Sequence, residues 1–422
     1  MLYYILRSWV RWYASLFYSK TYFTGLDKLP RKGPIIIAIN HPTAFTEFAY
    51  LGGATLRGRN FMLRGDLFLK NKIVAAMLRS LKCIPIYRAQ DGIANLKKNE
   101  ATLQYCYKLL GKGSSILIAA EGSSALEKHL RTIQKGTARM VFGTYEKYKR
   151  ADILVIPTGI NYAAANELGS KLYVNLGRPI PLSDYLADYE KNPRRAVKLM
   201  TDRLGKELRE RVVHIEDKTD YALADKILQV AENNYWQPAL PKVTTKPSPL
   251  FSFIEITERF NELNEQHKQQ LKLDVAEYFE QLQLHNLKDI GVAQPGYYNW
   301  KISLALLIGF IPFVIGWLGI CPSYYFARNF VDKNIKQAKF YASTLIALGA
   351  MSFLFYFIAL LIISLLIGNI QLISLAILLP IFCYFATVWR DFAIKWKEAR
   401  KFKRLEKSDI ANLKNLRAKV HL

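Results

Sequence analysis

The sequence predicts an α/β domain, a central sheet flanked by helices, followed by a helical region and C-terminal transmembrane helices. Three observations predict it. Short apolar runs bounded by Gly, Pro or Asn alternate with helical patterns in the first part of the chain. After about residue 182 the pattern becomes helical and charged. Three long stretches without charge then fall together in the last third. Of the 422 residues, 51% are apolar and 22% charged, which excludes a disordered chain.

The elements follow in order. Residues 1–26 carry Tyr3, Tyr4, Trp9, Trp12, Tyr13, Phe17, Tyr18, Tyr22 and Phe23, with Arg7, Arg11 and Lys20 among them and no acid before Asp27. The basic residues interrupt the apolar run that a secretory signal needs. Aromatic and basic side chains without acids suit the lipid headgroup zone, so 1–26 is expected to be an amphipathic, membrane-associating helix. A body over 27–235 has candidate buried strands at 34–39, 115–119, 153–158 and 172–176, and helical patterns at 93–110 and 135–148. Pro238, Pro241, Pro247 and Pro249 open a linker and helical arm over 236–300, whose stretch 251–290 reads as a long polar helical segment.

Residues 301–390 form the membrane region. Segments 342–367 and 372–389 hold no charged residue over 26 and 18 positions, long enough to cross a bilayer as a hairpin with its tip at 368–371. Arg390, Lys395, Lys397, Arg400, Lys401, Lys403 and Arg404 follow the hairpin, and Arg328, Lys333, Lys336 and Lys339 precede it against one acid, Asp332. The positive-inside rule puts these basic segments, including the tail 391–422, on the cytoplasmic side. Segment 302–321 is also uncharged, with Pro312 at its middle. It is expected to be re-entrant or interfacial; a single crossing that places the preceding domain outside is the alternative.

Lys and Arg number 59 against 34 acids, a net charge of +25, which calls for an anionic partner or surface. Much of that charge flanks the apolar spans and no nucleic-acid motif is present, so the partner is read as anionic membrane lipid and no nucleic acid. The four cysteines make no C-x-x-C pair, which leaves no Cys-rich metal site and no disulfide framework, as suits a reducing compartment.

The candidates for chemistry sit where strands end. Asn40-His41-Pro42 follows the run 34–39, and His41 can act as a general base near neutral pH. Glu47, six residues on, can orient the imidazole. Arg88 closes Ile84-Pro85-Ile86-Tyr87-Arg88 and suits a phosphate clamp, because the guanidinium fork matches phosphate oxygens. Glu121-Gly122-Ser123-Ser124 follows the run 115–119; Gly permits close backbone approach and Ser can donate a hydrogen bond. The run 153–157 reads as a structural wall.

Together these blocks resemble the glycerol-phosphate acyltransferase superfamily, which includes lysophosphatidate acyltransferases. Asn40-His41-Pro42 matches its Asn-His-Pro-x-x-x-x-Asp block, Ile84 to Arg88 its second, Glu121-Gly122-Ser123-Ser124 its third, and Val155-Ile156-Pro157 its fourth. Arg64-Gly65-Asp66-Leu67-Phe68 is also similar in type, and the likeness covers roughly residues 20–185. One departure is that Thr46 stands at the family's acidic position and Glu47 follows it; either could support His41. Another is Ser124, where many members have Arg.

The resemblance implies a membrane-bound enzyme. It would move a fatty acyl chain from an acyl-CoA or acyl carrier protein thioester to glycerol 3-phosphate or 1-acylglycerol 3-phosphate. His41 and Glu47 would be catalytic; Arg88, Glu121, Gly122, Ser123 and Arg64 would bind substrate, with the Gly122 N–H a possible oxyanion donor. No metal or other cofactor is implied. Acylation of another lyso-lipid or amino-acid lipid, or a noncatalytic lipid-binding scaffold, remains the alternative.

Overall fold

The computed structural model describes residues 2–53, 58–69, 71–87, 98–236 and 238–421. The chain divides into two compact units. The first comprises Met1–Arg11, Tyr22–Asn161 and Tyr173–Val212; the second comprises Trp12–Thr21, Tyr162–Leu172 and Val213–Leu422.

The strands are β1 (Lys20–Thr24), β2 (Ile35–Ile39), β3 (Asn60–Arg64), β4 (Cys83–Ile86), β5 (Ser115–Ala119), β6 (Leu154–Tyr162), β7 (Lys171–Leu176), β8 (Ile180–Pro181) and β9 (Val243–Thr244). Among the described residues the sheet runs β4-β3-β5-β2-β6-β7-β1-β9, with β8 beside β6. β2 lies parallel to both β5 and β6, with Ile39 opposite Ala119 and Thr158. β3 is parallel to β4 and β5, so four strands deliver their C-terminal ends to one edge alongside β6. The register explains the composition of β2: a central parallel strand is covered on both faces, and all five of its residues are buried.

The helices are α1 (Leu2–Phe17), α2 (Thr46–Gly53), α3 (Lys72–Ser80), α4 (Lys98–Gly111), α5 (Gly136–Tyr148), α6 (Leu186–Lys191), α7 (Pro193–Arg209), α8 (Tyr221–Asn233), α9 (Leu250–Glu262), α10 (Glu265–Leu284), α11 (Asp289–Ala293), α12 (Trp300–Ile308), α13 (Phe310–Asn334), α14 (Ala338–Ile367), α15 (Ile370–Lys403) and α16 (Lys407–Lys419). One core of the first unit packs Ile36, Ile116 and Val155 of the sheet against Cys106 and Leu110 of α4, Val141 and Phe142 of α5, and Met200 and Leu204 of α7. Each fully buried side chain of this size contributes roughly 1.5–3 kcal/mol.

Several extents differ from the sequence expectation. The helix expected over 1–26 stops at Phe17, and Lys20–Thr24 is a strand, with the Thr21 N–H donating to the Lys242 carbonyl at 2.7 Å. Its alternating side chains meet a strand's two faces, which a helical reading of aromatic density hides. Of the helix expected over 93–110, α4 supplies the part from Lys98, while 93–97 lie outside the described residues. β6 runs four residues past the expected 158, to Tyr162. The uncharged stretch 302–321 is divided at Gly309 between α12 and α13, and Pro312 falls in the first turn of α13, where proline is tolerated; the interior proline of that helix is Pro322. The polar segment 251–290 is broken into α9, α10 and the start of α11.

In the second unit α8, α10, α11 and α16 share a core in which Ile227, Val275, Tyr278, Phe402, Leu413 and Val420 meet. At its rim the buried Asp289 carboxylate accepts from Arg417 Nε at 2.7 Å, Tyr278 OH at 2.5 Å and Asn233 Nδ2 at 2.9 Å. A buried carboxylate needs such donors to offset its desolvation.

Among the described residues three helices are long and apolar enough to cross a membrane: Phe310–Asn334, Ala338–Ile367 and Ile370–Lys403. Gly368, at φ 71°, ends α14, and the Asn369 side chain caps α15, which makes the sharp hairpin tip. α12 and α13 start beside the open end of this hairpin, where Trp389 Nε1 donates to the Leu306 carbonyl at 3.0 Å and Trp396 Nε1 to Ser303 Oγ at 2.8 Å. α13 also ends there, since Tyr341 OH donates to Asp332 at 2.7 Å. Small residues let α13 approach α15. A Cβ on Gly316 would lie 1.9 Å from the Phe382 carbonyl oxygen, and one on Gly319 2.7 Å from Leu379.

This contact sets a test. Gly316→Ala should cost about 1–3 kcal/mol by forcing two helix backbones apart. In detergent-held protein it should lower the midpoint of thermal unfolding by several degrees. Gly296→Ala, where a Cβ meets nothing within 4 Å, should leave it unchanged.

Candidate active site

His41 stands one residue past Asn40, at the C-terminal edge of β2. The Asn40 side chain fixes that edge: its Nδ2 donates to the Ile160 carbonyl at 2.9 Å and its Oδ1 accepts from the Ile160 N–H at 2.6 Å. An amide that gives and takes across one backbone residue ties the end of β2 to β6 in a single register. The His41 N–H then donates to Glu121 Oε2 at 2.7 Å, and its carbonyl accepts from the Ala125 N–H at 3.1 Å. The backbone of the histidine is therefore held from three directions before its side chain is considered.

The imidazole packs edge-on against Phe48, ring centres 5.6 Å apart, and only 12% of the side chain is exposed. Its Nδ1 lies 3.8 Å from Glu47 Oε2, a charge-pair distance longer than a hydrogen bond. Glu47 is fully buried in the first turn of α2. Its other oxygen, Oε1, accepts from the Thr43 N–H at 2.7 Å and from Thr43 Oγ1 at 2.9 Å. Among the described residues Oε2 makes no hydrogen bond and faces the imidazole. Burial pushes the Glu47 carboxyl up to about 7; its own backbone N–H and the Thr43 donors oppose that rise and the nearby Glu121 adds to it. Thr46 is buried at the start of the same helix.

Glu121 is engaged on both oxygens. Oε1 accepts from the Arg131 N–H at 2.8 Å, and Oε2 accepts from the Arg131 guanidinium at 3.1 Å as well as from His41. The same guanidinium donates to Ser123 Oγ at 2.6 Å and to the Ser123 carbonyl. Gly122 has φ 74°, a turn conformation that glycine adopts without strain, and its N–H donates to the Ala119 carbonyl at 3.1 Å. That N–H is thus spent inside the turn, and the oxyanion role considered for it is not available in this conformation.

Arg64 ends β3 on the same sheet edge, two strands from β2, and its fork closes on Asp66 at 3.1 and 2.8 Å. Arg88 lies outside the described residues; the chain is described as far as Tyr87, whose N–H and carbonyl are both held by the Asn99 side chain. The structure thus brings His41, Glu47, Glu121 and Ser123 together around one strand end. Two further residues belong to the arrangement and were not singled out in the sequence: Thr43 and Arg131. The i to i+4 spacing of Thr43 and Glu47 is a local signal for the first. Arg131 is ten residues from Glu121 in a loop, and only the Ser124 departure hinted that another guanidinium serves this block. Among the described residues no group of three His, Cys, Asp or Glu side chains could hold a metal ion.

The burial of Glu47 has a thermodynamic signature. Its folded value near 7 exceeds the ordinary 4.5, so between these values the folded chain binds a proton that the unfolded chain has released. Stability contributed by this group therefore falls as pH rises from about 4.5 to 7, by roughly 3 kcal/mol in total, and stays lost above that. Glu47→Gln should remove that slope. Thermal unfolding at pH 5 and pH 8 checks it: the wild type should lose more stability between the two than the variant.

A sequence profile of the Acyltransferase family matches residues 20–161. Glycerol-3-phosphate O-acyltransferase 1 of Saccharomyces cerevisiae is 25% identical over 223 residues, 51% of this chain and 27% of that protein. Tafazzin of Drosophila melanogaster is 25% identical over 208 residues, 44% of this chain and 51% of that protein. The chain thus spans about a quarter and about half the length of these relatives. Among solved structures, the 1-acyl-sn-glycerophosphate (LPA) acyltransferase PlsC from Thermotoga maritima is similar, with 16% identity, a TM-score of 0.35, and coverage of 49% of this chain and 80% of that one. The stretch 20–161 that the Acyltransferase profile matches holds His41, Glu47, Glu121 and Arg131.

Proposed function

We propose that the chain is a membrane-bound O-acyltransferase that moves a fatty acyl chain from an acyl-CoA or acyl carrier protein thioester to glycerol 3-phosphate or 1-acylglycerol 3-phosphate. The observation that carries this reading is the 3.8 Å approach of Glu47 Oε2 to His41 Nδ1 at a strand end, within the region that matches the family. Nδ1 faces the carboxylate, which leaves Nε2 for the acceptor hydroxyl. His41 takes the hydroxyl proton as the oxygen attacks the thioester carbonyl. The C–S bond then breaks, the thiolate leaves and collects the proton from His41, and the ester remains on the acceptor. The imidazolium formed in between is stabilised by ionised Glu47, as a buried carboxylate beside a histidine does in other acyl-transfer sites. Arg88 is the proposed clamp on the acceptor phosphate. Glu121 and Ser123 act in this reading through Arg131, as the wall that sets the His41 backbone. Arg64 can join substrate binding only by exchanging Asp66 for a phosphate.

In the same reading α14 and α15 cross the bilayer as a hairpin. The helices 300–334 enter and leave on the side of its open end, a re-entrant path supported by the paired contacts at Trp389, Trp396 and Tyr341. The positive-inside rule supports a cytoplasmic open end, and the proposal takes the active site to work on that same face.

Purified protein in nanodiscs, given labelled acyl-CoA with each acceptor, tests the chemistry. His41→Ala should lower kcat/KM by 10²–10⁴-fold, the range of general-base catalysis, and Glu47→Gln by a comparable factor. Thr46→Val should retain most activity. Full activity in Glu47→Gln with loss in Thr46→Val would move the supporting role to the threonine. Topology is checked separately by cysteines at Lys336, Asn369 and Lys407. Reagent added from one face should modify 336 and 407 together and 369 only from the other.

A further inference from the structure

The first unit carries an apolar face that its own core does not use. α3 starts sharply because the Asn71 side chain accepts from the N–H groups of Ile73 and Val74. Ala75 is its buried residue, while Ile73 is 78% exposed, Met77, one turn on, 49%, and Val74 and the preceding Leu69 are exposed as well. At the start of α1, Tyr4 and Ile5 are also exposed. Lys82 joins the two helices: it follows α3, and its ammonium sits 5.1 Å from the Tyr3 ring centre and 6.0 Å from that of Tyr4. The Arg7 guanidinium lies over the same two rings, at 5.6 and 5.0 Å. Large side chains of this kind, gathered and left in water, mark an interaction surface.

The charge identifies the occupant. Lys72 and Arg79 are exposed on α3, Lys82 follows it, and neither α1 nor residues 72–82 contain an acid. The same chain holds helices long and apolar enough to cross a membrane. We infer that α3 and the first turns of α1 dip together into an anionic lipid leaflet, with Ile73 and Met77 among the acyl chains and Lys72, Arg79 and Lys82 at the phosphates. Stacked Tyr, Arg and Lys side chains suit the headgroup depth, where an apolar body and a charged tip are both satisfied. The contact is separate from the hairpin crossing and fixes the height of the first unit over the lipid. It rests on the membrane reading of α14 and α15.

Full-length protein in nanodiscs tests it, in a background carrying Cys83→Ser and Cys321→Ser. An environment-sensitive fluorophore is attached at Ile73→Cys, at Glu210→Cys as a water-facing control, and at Leu375→Cys as a bilayer control. With anionic phospholipid present, a lipid-borne quencher should reduce emission from positions 73 and 375 at least threefold more than from 210. In purely zwitterionic nanodiscs the quenching at 73 should fall at least twofold while that at 375 holds. Quenching at 375 without quenching at 73 overturns the inference and leaves the membrane reading standing. No quenching at either position overturns both. A label at 73 shielded from water-soluble and lipid-borne quenchers alike means that protein covers the face, which also overturns it. Quenching at 73 equal in both lipid mixtures removes the anionic requirement. None of these readouts depends on acyl transfer.

Discussion

A buried carboxylate must be hydrogen-bonded or neutral, and the candidate site holds two of them within charge range of each other. The rest of the site follows from how each is satisfied. Glu121 receives a guanidinium and two backbone N–H groups, so its charge is accommodated and its role is fixed as a hub. Through it the loop at 121–131 grips the backbone of His41. Glu47 receives neutral donors, its own backbone N–H and the two of Thr43, and among the described residues no guanidinium. Its second oxygen faces the imidazole, and its ionisation is held back by burial. Such a carboxyl becomes fully useful as an anion when a positive charge appears beside it, the moment at which the imidazole takes a proton. Arg131 on Glu121 and its absence on Glu47 are therefore two halves of one arrangement: had both acids been neutralised, neither would respond to the histidine.

Much of this was legible because it is local. Asn40, His41 and Glu47 lie within one strand end and one helical turn, and Glu121 to Ser123 follow the next strand directly. Strand β2 announced itself by five apolar residues in a row, which only a strand covered on both faces tolerates. Other features depend on contacts that spacing does not encode. Thr46 or Glu47 could not be separated by counting, because the answer depends on where α2 starts. The direction of the Gly122 N–H depends on a positive φ. Arg131 reaches Glu121 across a loop without periodicity. Strand β1 was hidden because its aromatic residues continue the composition of the helix before it, while the strand's partner, the Lys242 carbonyl, is more than 200 residues away. The break in the stretch 302–321 fell at Gly309 rather than at the more conspicuous Pro312.

In the proposed membrane reading, the helices α13 and α15 obey a different physics from the sheet. Between apolar helices surrounded by lipid tails there is no gain from hiding apolar surface, so close backbone approach and dispersion must hold them. Gly309, Gly316 and Gly319 supply the approach, facing Trp389, Phe382 and Leu379 in turn. The tryptophans at 389 and 396 add hydrogen bonds to α12 where the chain leaves the apolar zone. The same molecule thus uses bulk for its core and the absence of bulk for its apolar helices.

The helical core of the second unit carries a consequence for biosynthesis. Its walls come from residues 215–292, yet Phe402, Leu413, Leu416 and Val420 complete it, and Arg417 supplies the charge that Asp289 awaits. Between those two sets of residues lie all three of the long apolar helices. A ribosome therefore synthesises the hairpin before the residues that close the core. While the apolar helices are being made, the stretch 215–292 has an open apolar side and an Asp289 still without its guanidinium. The segment emerging last seals a compartment begun some two hundred residues earlier, and if the hairpin inserts as proposed, it does so before that core is complete.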